Sequence, residues 1–172
     1  MSSTTPTNPR PDIQTAKTAY PGVSLNNVTT SPSTIRQAIQ VAVAGIENNL
    51  LQPFTPNDVA PWAHSRAVLA LLAYCYAYQI YSSSIAAGMA ACDPYFPWPL
   101  WEPLPDARAL RRFRMENREA VQRCLMAALK FQMEQMVLAG TSTKISVPQL
   151  AEEANRRIIM AALADNVELE GE

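Results

Sequence analysis

The sequence predicts an all-α protein: an extended N-terminal arm followed by about four helices packed around a central apolar helix. Three observations carry this expectation. Beyond residue 31, apolar residues recur at helical spacing and no convincing strand stands out. Residues 67–92 carry no formal charge over 26 positions. The first 31 residues hold eleven Ser or Thr and four Pro with almost no apolar periodicity, so they cannot offset their ordering entropy alone. At 172 residues and 48% apolar content, the rest suffices for one domain with its own core. The expected division is an arm over 1–31, a helical domain over 32–164 and an acidic tail over 165–172.

The first helix follows the arm. Ser31 can cap it, Pro32 suits its first turn, and Ile35, Ile39, Ala42, Ile46 and Leu50 form its stripe. Pro53 and Pro56 end it, and Thr55, Pro56 and Asp58 read as a new start before Pro61. The uncharged run Ala67–Cys92 follows. It is long enough to cross a bilayer, and the aromatic and Arg-rich residues beyond it mimic a membrane flank. Gln79, Ser82, Ser83, Ser84 and four Tyr inside it favour a buried helix instead, with Tyr74, Tyr78 and Tyr81 on one face.

Residues 93–105 contain five Pro and four aromatics, which makes them a stiff, extended connection. Tyr95, Phe96, Trp98 and Trp101 there either cover the end of the core or form a subunit contact, since Tyr and Trp are enriched in interfaces. A third helix is expected from Asp106 to Ala139, with Asp106 at its positive end and Gly140 just past its last turn. Leu110, Phe113, Val121, Cys124, Leu125 and Ala128 supply its apolar face. Ser146 and Gln149 form a capping-box pattern that opens a fourth helix running through Ala164. Its stripe is Leu150, Ala154, Ile158 and Ala161.

Charge is scarce, at 17%, and unevenly placed. Residues 1–104 sum to −1, residues 105–164 to +4 and the last eight to −4. Arg108, Arg111, Arg112, Arg114, Arg118 and Arg123 crowd into 16 positions of the third helix. At 100° per residue they spread over half a cylinder opposite the apolar face. Such a face is solvated and ion-paired with Glu116 and Glu119, or binds phosphate with Arg10, Lys17, Arg36 and Arg66 adding contacts, or docks an acidic protein partner. The candidate nucleic-acid residues are the six arginines of this helix with Arg36 and Arg66.

Enzymatic patterns are missing. There is no H-E-x-x-H, no paired Cys and no Glu-x-x-His, and the five Gly are isolated from one another. His64, the single histidine, reads as a polar residue near a helix start, and Glu152 and Glu153 as solvent-facing charge. Cys75, Cys92 and Cys124 lack metal or redox spacing and read as small hydrophobes in a reducing compartment. The N-terminus has no signal-peptide pattern. No enzyme, cofactor, metal or small-molecule substrate is expected.

The Ser/Thr/Pro arm at 1–31, the helix pair spanning Ser31 to Cys92 and the compact helical remainder resemble the α-helical coat proteins of filamentous archaeal DNA viruses. The likeness is one of organisation, without a signature motif. It implies an arm and first helices that wrap DNA, and C-terminal helices on the outer surface. This chain differs by placing its Arg cluster late. The expected function is a structural subunit of a virion or helical filament, assembling through the arm with other copies or a related subunit and packaging nucleic acid, for which the resemblance implies DNA. Its location would be the virion, assembled in the host cytoplasm. The alternatives are a single-pass membrane subunit and a soluble helical adaptor.

Overall fold

The computed structural model describes residues 34–54, 61–92, 104–141 and 145–170, with backbone alone at 61–63. Among them every long element is helical, as the spacing predicts. The order is α1 (Ile35–Ala44), a 3-10 turn (Asn48–Leu50), α2 (Pro61–Ala77), α3 (Ser83–Cys92), α4 (Ala107–Glu116), α5 (Arg118–Leu138) and α6 (Val147–Glu170). The arm at 1–31 and the aromatic positions Tyr95, Phe96, Trp98 and Trp101 lie outside the described residues.

α1 buries Ile35, Ala38, Ile39 and Val43: Ile35 and Ile39 of the expected stripe are there, while Ala42 is half-buried and Val43 takes a core place the stripe did not include. Its cap is Thr34, not Ser31: the Thr34 hydroxyl accepts the Gln37 N–H at 3.2 Å. The helix stops at Ala44, short of Leu50, which is exposed on the 3-10 turn. Backbone turns already close part of this end, with Gly45 N–H donating to the Val41 carbonyl at 3.1 Å and Ile46 N–H to that of Val43 at 3.2 Å. Arg66 of α2 adds to them, donating to the Val43 carbonyl at 2.8 Å and to that of Ile46 at 2.9 Å.

The uncharged run does not form one helix. α2 ends at Ala77 and α3 begins at Ser83, so neither a single buried helix nor a membrane span covers Ala67–Cys92. Among the described residues no helix is long and apolar enough to cross a membrane. The break is a Schellman end: Gln79 takes φ 61°, its N–H bonds the Tyr76 carbonyl, and Ile80 N–H reaches back to Cys75 at 2.8 Å. Ser82 then restarts the helix, its hydroxyl accepting the Ile85 N–H at 3.1 Å. Gln79 occupies a conformation that normally calls for Gly, which is why the break has no obvious sequence mark.

The expected helix 106–139 also divides. Asp106 caps α4 as predicted, accepting the Ala109 N–H. Asn117, at φ −116° and ψ 28°, interrupts the helical dihedrals before α5 begins. Its buried amide holds the extended residue Gln52, accepting the Gln52 N–H at 2.8 Å and donating to its carbonyl at 3.4 Å. Ser65 of α2 completes this clamp by accepting the Phe54 N–H at 3.0 Å, and Arg112 donates to the Phe54 carbonyl at 2.8 Å. Phe54 itself packs edge-to-face on Phe113. α5 ends on Gly140 at φ 72°, again as the sequence predicts.

α6 opens on the expected capping pattern, with Ser146 N–H donating to Gln149 Oε1 at 2.9 Å. It does not stop at Ala164 but continues to Glu170, so the described part of the expected acidic tail is helix. α2 packs on α1 and α5, α5 also contacts α1 and α6, and α3 lies on α4. Their apolar faces form one cluster that includes Leu69, Leu72, Phe113, Val121, Leu125 and Ile158. Cys75 and Cys124 are buried within it and Cys92 is exposed; burial pushes the Cys124 thiol up to about 12, where it is inert.

A Gln79→Gly variant removes the strain of a side chain at positive φ. Its urea midpoint is expected to rise by the equivalent of about 1 kcal/mol, whereas Gln79→Val lowers it.

Candidate functional site

The arginines do not share one solvated face. In α4, Leu110, Phe113 and Arg114 are the buried positions, so Arg114 lies on the core side at 5% exposure rather than opposite it. The spacing i, i+3, i+4 marks that side, and a charge occupies one of its three places. Arg114 is removed from the phosphate-binding candidates.

What it meets is Asp165 of α6, which is 1% exposed. The guanidinium donates to Asp165 Oδ2 at 2.7 Å and to the Tyr76 hydroxyl at 3.2 Å. The same carboxylate accepts the Ser83 N–H at 2.9 Å and the Ser83 hydroxyl at 2.7 Å, which caps α3 from another helix. Arg111 approaches the carboxylate from its other side at 3.6 Å and Glu168 at 3.8 Å. Burial pushes the Tyr76 phenol up to about 12 against the opposing pull of Arg114, so the phenol keeps its proton. Every contact here is structural: the cluster joins α2, α3, α4 and α6.

Other predicted residues are similarly occupied. Arg66 spans the end of α1, and Arg36 lies 5.1 Å from the centre of the Tyr74 ring. Arg112 holds the Phe54 carbonyl and Arg118 donates to Asn155 at 2.6 Å. Arg123 pairs with Glu119 along the exposed side of α5. Arg108, Arg112, Arg118 and Arg123 remain exposed, so the eight candidates reduce to four that an external phosphate can reach.

Three further residues carry parts of this arrangement that sequence reasoning missed. Arg157 donates to the Tyr76 and Ala77 carbonyls at 3.0 and 2.7 Å, closing the end of α2 from α6. Gln132 reaches the same Ala77 carbonyl at 3.3 Å. Glu153 is not merely solvent-facing: Arg156 and Arg157 bond it and hold its carboxyl down at about 2. His64 is buried, not on the surface. Asp165 had a readable signal, because it continues the buried series Leu150, Ala154, Ile158, Ala161 in register.

No family model, curated protein or solved structure matches the chain. The molecule's own surfaces must therefore carry the functional reading. Among the described residues no three His, Cys, Asp or Glu side chains come together as a metal site. The outer side of α6 is conspicuous instead. Ile159, Met160, Leu163 and Val167 are exposed there, Val167 to 70%, on the side away from the buried series. The exposed arginines and this apolar stripe are the two candidate interaction surfaces.

Removing one member of the buried pair strands the other. Asp165→Ala is expected to cost about 3–5 kcal/mol in denaturant unfolding, and Arg108→Gln less than about 0.5 kcal/mol. Replacing both, as Arg114→Met with Asp165→Leu, should recover most of the loss.

The Glu153 carboxyl lies below the ordinary carboxylate range, so its contribution is present above about pH 4.5 and lost as pH falls toward about 2. At pH 7 Glu153→Gln should lower stability by about 1 kcal/mol, after discounting for solvent screening. The gap between wild type and variant should narrow through that acid window.

Proposed function

We propose that this chain is a structural subunit that assembles with copies of itself into a virion or helical filament. The observation that carries the reading is an exchange of surfaces. Arg66, Arg111, Arg114 and Arg157 spend their charges inside the fold, while large apolar side chains stand outside it along α6. Exposed apolar residues along one helix mark an association surface. The Ser/Thr/Pro-rich composition of residues 1–31 ahead of the helical segments supports the same reading.

The exposed arginines favour nucleic acid as the packaged partner. Arg108, Arg118 and Arg123 lie on α4 and α5 with outward area, and planar guanidinium forks suit phosphate oxygens.

Light scattering and electron microscopy of the purified chain, alone and with double-stranded DNA, test the reading. The expected result is a mass above the 18.9 kDa of one chain that grows with concentration. DNA affinity should fall steeply with salt, and replacing Arg108, Arg118 and Arg123 by Gln should flatten the slope by up to about 3. A monomer at all concentrations overturns assembly. Binding indifferent to salt overturns phosphate contact.

A further inference from the structure

α6 has two apolar sides. Leu150, Ala154, Ile158, Ala161 and Asp165 face the body of the protein. On a helical projection, Ile159, Met160, Leu163, Val167 and Arg156 fall within an arc of about 100° on the opposite side. Ile159, Met160 and Leu163 are 44%, 40% and 52% exposed, and Glu170 stands exposed at the far end of the same side.

We propose that this stripe is the contact between two copies of the chain, with the α6 helices antiparallel about a two-fold axis at Leu163. This rests on the assembly reading and names the surface and register by which it happens. Two-fold contacts require a self-complementary patch, in which residue i meets residue j and j meets i. The α6 stripe has that symmetry in its sequence. With Leu163 on the axis, Ile159 meets Val167 of the second copy, four residues out on either side. Three residues further out, Arg156 meets Glu170 of the second copy. Each pairing occurs twice.

Charge decides the direction. Parallel helices in register would set Arg156 against Arg156 and Glu170 against Glu170. Antiparallel helices set opposite charges together at both ends of an apolar centre and also oppose the two helix dipoles. Arg156 and Glu170 are 14 residues apart, so the paired ends are separated by about 21 Å of helix. That length holds Ile159, Leu163 and Val167 from each copy between two ion pairs. Glu153 already orients Arg156 from within its own helix at 2.7 Å, which leaves the guanidinium poised at the stripe's edge.

The test uses the full chain and reads mass by light scattering across a concentration series. Leu163→Glu places two carboxylates on the axis, and should weaken dimerisation by at least about 100-fold with unchanged helical circular dichroism. Leu163 is half exposed, so the substitution spares the core. Register is read by crosslinking in a Cys92→Ser background, which removes the exposed native thiol. Under mild oxidation Leu163→Cys should give a covalent dimer. Val147→Cys, more exposed at 69% against 52% but with no counterpart across the axis, should not.

A wild-type oligomer unmoved by Leu163→Glu, or one in which Leu163→Cys fails to crosslink, overturns this contact and leaves the assembly reading to other surfaces. A wild-type chain that stays monomeric overturns both.

Discussion

A carboxyl buried in an apolar interior needs a cation and donors to replace its water, and Asp165 has both. Arg114 supplies the cation at 2.7 Å, while the Ser83 N–H and hydroxyl supply two donors. The elements involved are far apart in the chain: α6 provides the acid, α4 the base, and the first residue of α3 the donors. Apolar faces alone would let these helices slide or rotate by a turn at small cost. A buried charge does not permit that, because any other register leaves it unpaired. In this protein the pair selects one arrangement of α3, α4 and α6.

The same device recurs at smaller scale. Helix ends here are closed by side chains from other helices: Arg66 closes α1, Arg157 and Gln132 close α2, and Asp165 opens α3. The extended stretch Gln52–Phe54 is likewise held by Asn117, Ser65 and Arg112. These bonds give backbone groups at the helix ends and in the connection partners from distant elements. Few charged residues can serve so many ends only because the long Arg side chain reaches across a helix interface.

Turning charge inward has an outward consequence. The +4 of residues 105–164 and the −4 of the last eight partly cancel through Arg111, Arg114, Asp165 and Glu168, so neither segment presents its whole charge to a partner. Among what remains exposed on the described residues are several arginines and the apolar side of α6. For a protein working alone, that stripe is a liability; for a subunit among copies of itself, it is a seam. The proposed function follows from this surplus of uncovered apolar area.

The sequence by itself determined the helical class, the stripe of α6, part of that of α1, and three helix ends: the Asp106 cap, the Ser146–Gln149 pair and Gly140. These are local, set by residues within a turn of one another, so spacing and residue type suffice. The breaks at Gln79 and Asn117 lacked such a signal, since neither is Gly or Pro. Only the tertiary structure decided them, because donors and acceptors from distant segments make each break satisfiable. It also decided which arginines face out. Leu110, Phe113 and Arg114 spell a core pattern in which the charge looks misplaced, until Asp165 arrives from 51 residues away. A periodic pattern shows which side of a helix is covered, but a buried charge shows what covers it only once its partner is known.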